Sequence, residues 1–299
     1  MADLHKAFCK FHDRIALTAG QKSALGSMRD ILRERIYNYF HYTLRVKAPI
    51  FRIQGSYAID TAVNPIDNEP NIEDGVYLQH LDKMDYSNWP AAATVHQWLA
   101  NAAGCHATEM PMDNRACVRL RSAGRYRIDL YAYGEFNGQY LLAAKGEARW
   151  LRSDPLAFSR WFGSYIHQRG EQLRRLVRYL NAWADYQSLQ NGRMAVDLIA
   201  TVLAVHYFRI HKRDDMALAK TIETISDAVR SDFFVLNPVD ISEELTARLA
   251  APHKERLKDA LLAFSDTANG ALAIEDGYKA SKLWRKLFGD RFPSGFRGK

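Results

Sequence analysis

The chain of 299 residues is 47% hydrophobic and carries 41 Lys and Arg against 34 Asp and Glu, a formal charge of +7. That size and apolar content can bury a sizeable core divided into two lobes, while no run approaches the roughly 20 apolar residues that span a bilayer. Three cysteines, Cys9, Cys105 and Cys117, are odd in number and widely spaced, which argues against a disulfide framework and a zinc knuckle. Met1-Ala-Asp-Leu-His-Lys lacks the basic-then-apolar start of a secretory signal, so a cytoplasmic protein with no membrane partner is expected. The positive excess favours phosphate-bearing partners by long-range attraction and serves solubility equally well.

Leu4, Phe8, Phe11 and Ile15 recur at three- and four-residue spacing and predict a first amphipathic helix within residues 2–17. Thr18 followed by Gln21 reads as a capping box that opens a longer helix to about residue 46, bracing a sheet through Leu25, Met28, Ile31, Leu32, Ile36 and Phe40. Arg29, Arg33 and Arg35 on that helix read as a solvated face. Strands are predicted over 50–55 and 72–79, separated by Asn64-Pro65 and Asp67-Asn68-Glu69-Pro70, and a helix over 90–103. Cys117–Arg121 and Arg125–Tyr133 flank Ser122-Ala-Gly124 as a hairpin, with a further strand in Tyr140–Ala144. Helical periodicity then runs near 156–163, 165–189, 194–212, 215–232, 242–265 and 272–288. The expectation is an α+β protein, with residues 1–153 forming a mixed sheet lobe with bracing helices and 154–299 a helical lobe closing a ligand cleft.

Within this frame, the first strand ends in Gln54-Gly55-Ser56, small residues whose backbone N–H groups at a strand-to-helix turn can hold an anion. Strand alternation puts Asn71 and Glu73 on one face and Ile72 and Asp74 on the other, and two-residue spacing suits a divalent cation. Asp129 stands amid Ile128, Leu130 and Tyr131, where a charge requires a partner. Asp74, before Gly75, reads as a loop residue rather than a ligand. Arg174 and Arg178, one turn apart, suit either phosphate or a salt-bridged face. Trp150, Trp161, Trp183 and Trp284 read as core, and His5, His12, His167 and His206 show no ligand spacing.

Taken in order, Gln54-Gly-Ser-Tyr57, Asn71-Ile-Glu-Asp-Gly-Val-Tyr77 and Tyr126-Arg-Ile-Asp-Leu130 resemble the motif of the bacterial CD-NTases, relatives of cyclic GMP-AMP synthase in the polymerase-β superfamily. Arg152-Ser-Asp-Pro155, Val177–Trp183, Asn237-Pro-Val-Asp240 and Trp284–Pro293 extend the likeness along nearly the whole chain. The resemblance implies a polymerase-β-like nucleotidyltransferase core plus a C-terminal helical bundle. It also implies synthesis of a cyclic or linear oligonucleotide second messenger from nucleoside triphosphates and Mg²⁺ or Mn²⁺ in anti-phage signalling, with no long nucleic acid and with room for a regulatory protein partner. By the same resemblance Asn71, Glu73 and Asp129 are the catalytic, metal-holding positions, and Gln54, Gly55, Ser56, Arg178 and Asn181 lie at the nucleotide.

Four positions depart from the family pattern: Asn71 replaces its first acid, Glu73 the commoner Asp as a milder change, Asn181 a lysine and Val196 a serine. A neutral amide holds a divalent cation less well than a carboxylate. Asn71 therefore fits an inactivated form, by drift or by a deliberate near-isosteric exchange, or a working site completed by Asp74, Asp67 or Glu69. The competing function is a nucleotide-binding or partner-binding pseudoenzyme on the same fold, and a third is transfer of nucleotide onto RNA or protein.

Overall fold

The computed structural model describes residues 1–67, 69–104, 110–122, 126–147, 149–191 and 197–294. Cys105, Val196, most of the hairpin turn after Ser122 and the last five residues lie outside them. The chain opens with α1 (His5–Ile15) and α2 (Ala19–Asn38), and the second starts on the predicted box: Gln21 N–H donates to Thr18 Oγ1 at 3.2 Å, and Thr18 N–H to Gln21 Oε1 at 2.9 Å. The predicted extension to residue 46 is instead one π-helical turn, Tyr39–Thr43, in which Leu44 N–H reaches the Tyr39 carbonyl at 3.0 Å. This wider turn carries the fully buried Phe40 against His80 and Trp98, with ring centroids 5.9 Å away in each case.

One compact unit comprises residues 17–59 and 67–159. Its sheet contains β1 (Ile50–Gln54), β2 (Asn71–Tyr77), β3 (Met112–Asp113), β4 (Val118–Ser122) and β5 (Tyr126–Phe136), in the order β1-β2-β5-β4-β3. The β2–β5 pair is parallel and the other pairs along this path are antiparallel, while β6 (Gln139–Leu142) joins β5 to β7 (Leu151–Arg152). Between β1 and β2 comes the one-turn α3 (Gly55–Ala58), and α4 (Ala92–Gly104) precedes β3.

Period-two alternation divides this sheet into two chemically different faces. Even-numbered Ile72, Val76, Leu120, Ile128, Leu130 and Ala132 are buried, and helix α2 contacts this part of the sheet. Asp74 belongs to that face. It is a mid-strand residue, 1% exposed, gripped by Arg33 of α2 through Nε–Oδ2 at 2.7 Å and Nη2–Oδ1 at 2.6 Å. The readings of Asp74 as a loop residue and of Arg33 as a solvated one are thereby corrected. A carboxylate on a buried strand face must be paired, and the bracing helix supplies the cation. The odd-numbered face carries the polar set described below.

The other compact unit comprises residues 1–16, 60–66 and 160–299, so the two units do not follow a single cut at 153. Helix α1 joins this one because its apolar stripe is aromatic. Fully buried Phe8 lies 4.9 Å from Trp284, 5.2 Å from Tyr179 and 5.0 Å from Phe292, and Phe11 lies 4.7 Å from Phe288, all ring to ring. Burying each such ring contributes about 2–3 kcal/mol, which outweighs the chain proximity of α1 to α2.

The helices here are α5 (Pro155–Arg169, which begins in the sheet unit), α6 (Glu171–Asn191), α7 (Asp197–Tyr207), α8 (Asp214–Ser231), α9 (Ala251–Ala273) and α10 (Gly277–Phe288). Only the first residues of the helix predicted over 242–265 are not helical: a hairpin of β8 (Leu236–Asn237) and β9 (Asp240–Glu244) runs into them, and α9 begins at Ala251. Pro252 in the first turn of α9 explains the start: it lacks an N–H and is accommodated only where none is needed. Likewise α5 and α6 meet at Gly170, whose φ of +83° is a left-handed conformation that glycine adopts without strain.

Candidate active site

Sheet register places the predicted residues in transverse rows on the odd-numbered face. Gln54 pairs with Glu73 across β1–β2, Glu73 with Asp129 across β2–β5, and Asp129 with Arg119 across β5–β4. Neighbouring strands lie about 4.8 Å apart, so Gln54, Glu73, Asp129 and Arg119 form one row. The adjacent row is Asn71, Arg127 and Arg121. Asn71, Glu73 and Asp129 therefore lie on one face of the sheet in two neighbouring rows, beside the Gln54-Gly55-Ser56 turn.

Gly55 is fixed by two independent demands. Its φ is +67°, and a Cβ built on it would lie 2.5 Å from Glu73 Oε2 and 2.6 Å from Glu73 Cδ. The Glu73 carboxylate thus rests directly on the backbone of the turn. Gln54, only 4% exposed, holds Tyr133 by a side-chain hydrogen bond, while its Oε1 has no hydrogen-bond partner among the described residues. Tyr131 lies on the same face, and burial together with the negative charge of Glu73 pushes its hydroxyl far up. Burial and the Asp129 charge push the Cys117 thiol up to about 11, leaving it an unreactive thiol at neutral pH.

Arg119 changes the chemistry of the row. Its guanidinium grips Asp129 in a fork, Nε–Oδ1 at 2.6 Å and Nη2–Oδ2 at 2.7 Å, and Asp129 is 2% exposed. The pair holds the arginine protonated, chiefly through that hydrogen bond. The other acids proposed to complete a metal site are engaged too. Asp74 faces the opposite side with Arg33, Glu69 stands 3.6 Å from Arg121 and 3.9 Å from Arg127, and Asp67 stands 4.0 Å from Arg127.

Paired divalent cations about 4 Å apart require several carboxylate oxygens. The row offers Glu73, a neutral amide at Asn71, and an Asp129 already neutralised by Arg119. Among the described residues no group of three or more His, Cys, Asp and Glu is arranged to hold a metal. As they stand, these residues do not fit a two-cation centre.

Arg178 and Asn181, predicted at the nucleotide, belong to the helical unit and are used within it. Arg178 Nη2 donates to the Asp60 carbonyl at 2.5 Å and its Nη1 to His12 Nε2 at 2.8 Å, and Asn181 Nδ2 donates to the Thr61 carbonyl at 3.1 Å. Asp185, one turn on, accepts from Ile66 N–H at 3.0 Å. Positions 178, 181 and 185 share one helical face, and that face holds the backbone of residues 60–66. Arg174 pairs with Glu171 at 2.8 Å, the salt-bridged alternative.

The His12 ring accepts from Arg178, and burial followed by the Arg178 charge lowers its pKa from the usual value. A histidine whose pKa is depressed on folding contributes stability above its unfolded pKa of about 6.5 that is lost as pH falls. The wild type is expected to lose more thermal stability than His12→Gln between pH 7 and 5, measured by melting curves across that range.

Residues 49–133 match the family described as the nucleotidyltransferase domain of cyclic GMP-AMP synthase DncV-like proteins. A cyclic GMP-AMP synthase of Escherichia albertii is 25% identical over 224 residues, 71% of this chain and 48% of that protein. The Vibrio cholerae cyclic GMP-AMP synthase is 28% identical over 93 residues, 31% of this chain and 21% of that protein. The matched stretches thus span about half or less of these relatives. Among solved structures, Vibrio cholerae DncV in complex with the linear intermediate 5′ pppA(3′,5′)pG superposes with a TM-score of 0.79 at 18% identity, covering 99% of both chains. Its apo form gives 0.78 at 18% identity, covering 97% of this chain and 96% of that one. That likeness shows the polymerase-β-like fold. No helix among the described residues is long and apolar enough to cross a membrane.

Proposed function

We propose that this chain, whose residues 49–133 match the DncV-like nucleotidyltransferase domain, binds nucleoside triphosphates and joins them into a cyclic or linear oligonucleotide in the manner of the CD-NTases it resembles. The observation that supports this most is the row in which Glu73 and Asp129 stand in register beside the Gly55-Ser56 turn, with Asn71 one row away. In this reading the small residues of the turn receive the triphosphate, and Arg121 and Arg127 make that edge of the face attractive to phosphate. Turnover is lowered by Asn71, which removes one unit of negative charge. The finer parts of the reading come from the family resemblance: Mg²⁺ or Mn²⁺ as the supplied cation, a product serving anti-phage signalling in the cytoplasm, and a regulatory protein partner.

The fork between Arg119 and Asp129 favours a second reading, a nucleotide-binding pseudoenzyme. Incubating the purified protein and Asn71→Asp with labelled nucleoside triphosphates and Mg²⁺ or Mn²⁺ separates the two. The synthase reading expects at least tenfold more oligonucleotide from Asn71→Asp than from the wild type. Absence of product from both sinks it. The pseudoenzyme reading then expects calorimetric nucleotide binding that barely changes when Mg²⁺ is removed.

A further inference from the structure

We propose that Arg119 is a built-in cation that competes with metal ions for Asp129, so that divalent metal enters this site only when the fork opens. The inference concerns the same site as the proposed function and rests on that reading for its relevance to nucleotides, although its geometry is independent of any reaction.

Three observations carry it. Arg119 and Asp129 are directly opposed in the β4–β5 register, so the guanidinium approaches across one strand spacing without crossing other residues. Both carboxylate oxygens accept from the guanidinium, at 2.6 and 2.7 Å, which occupies one lone pair on each and sets a positive charge where a bidentate cation would sit. Asp129 is 2% exposed while the Arg119 side chain is 19% exposed, so the arginine is the partner with access to solvent and with somewhere to go.

Charge arithmetic points the same way. Asn71, Glu73, Asp129 and Arg119 together carry one net negative charge, from two carboxylates and one guanidinium. An acid at position 71 and no arginine would give three. An arginine fork also matches phosphate as well as carboxylate, so an anionic ligand has the chemistry to draw Arg119 away. Metal alone does not, because it must displace a cation from a buried partner.

The test is titration of Mn²⁺ alone, followed by the electron paramagnetic resonance of the free ion, against wild type, Arg119→Gln, Arg119→Lys and Arg119→Gln with Asp129→Asn. The expected result is that Arg119→Gln binds Mn²⁺ at least tenfold more tightly than wild type and that the double variant loses this gain. Arg119→Lys keeps the charge but lacks the fork, so it covers the case in which Arg119→Gln fails to fold. It is expected to bind Mn²⁺ more tightly than wild type does. Equal Mn²⁺ affinity in wild type and in whichever single variant folds overturns the proposal, as does a gain that survives Asp129→Asn. Because the readout is metal binding, a gain without oligonucleotide synthesis keeps this inference and removes the synthase reading. Synthesis with no change in Mn²⁺ affinity does the reverse.

Discussion

Asp214→Asn is expected to lower the free energy of unfolding by about 3 kcal/mol, because removing one partner of a buried charge pair typically costs 3–5 kcal/mol. Asp214 is fully buried, and its carboxylate accepts from Arg175 at 2.7 and 2.9 Å, from Gln172 at 2.9 Å and from the Tyr179 hydroxyl at 2.9 Å. The Tyr179 hydroxyl also reaches the Phe8 carbonyl at 3.3 Å, so the same cluster ties α8, α6 and α1. The lower end of the range applies because Arg175 is 30% exposed and can be rehydrated. Burial alone would raise the Asp214 pKa, but hydrogen bonds from Arg175 and Gln172 and the Arg175 charge leave it lowered. A carboxylate depressed on folding contributes stability that is complete above its unfolded pKa of about 3.9 and is lost as pH falls through the folded value. The gap between wild type and Asp214→Asn, read from urea midpoints, should therefore be constant from pH 7 to 5 and close below about 4. A gap that is already absent at pH 7 would show the cluster to be dispensable.

Gly55→Ala is expected to abolish most of the nucleotide affinity while costing only about 1–2 kcal/mol of stability. The stability cost comes from a side chain at φ +67°. The affinity loss comes from the new methyl group, which would stand 2.5 Å from Glu73 Oε2 and drive that carboxylate off the turn. The two causes separate in a double-mutant cycle with Glu73→Ala. The stability cost should appear in both backgrounds. A drop of at least tenfold in affinity for a nonhydrolysable nucleoside triphosphate, measured by calorimetry, should appear only where Glu73 is present. If Gly55→Ala binds as tightly as wild type, the turn is not part of the nucleotide site.

Several features were legible because they rest on local periodicity. The alternation of Asn71-Ile-Glu-Asp fixes which side chains share a face whatever lies around them, and Thr18 with Gln21 carries its cap within four residues. Arg119 was legible in principle: in an antiparallel pair that sets Ser122 opposite Tyr126, residue 119 stands opposite 129 by counting alone. A buried Asp beside a Gly-Ser turn suits a bound cation and a strand neighbour's guanidinium equally, and its residue type does not distinguish the two.

Arg33 and Arg178 were not legible in that way. Their partners, Asp74 and the Asp60 carbonyl, are 41 and 118 positions distant. A basic residue on a helix carries no mark of what it will meet. The helix predicted over 242–265 differs in its start, which Pro252 in the first turn of α9 sets at Ala251, with the residues before it in β9 and the turn that follows.

The amino-acid sequence determined by itself the faces of the strands, the start of α2, the small-residue turn at Gly55-Ser56 and the neutral amide at position 71, since each depends on residues within a few positions of one another. Only the tertiary structure decided that Asp129 is spoken for by Arg119, that Asp74 anchors α2, and that α1 packs with the C-terminal helices. A charge or an aromatic ring can be satisfied by many partners, and the chain path alone determines which of them comes within 3 or 5 Å.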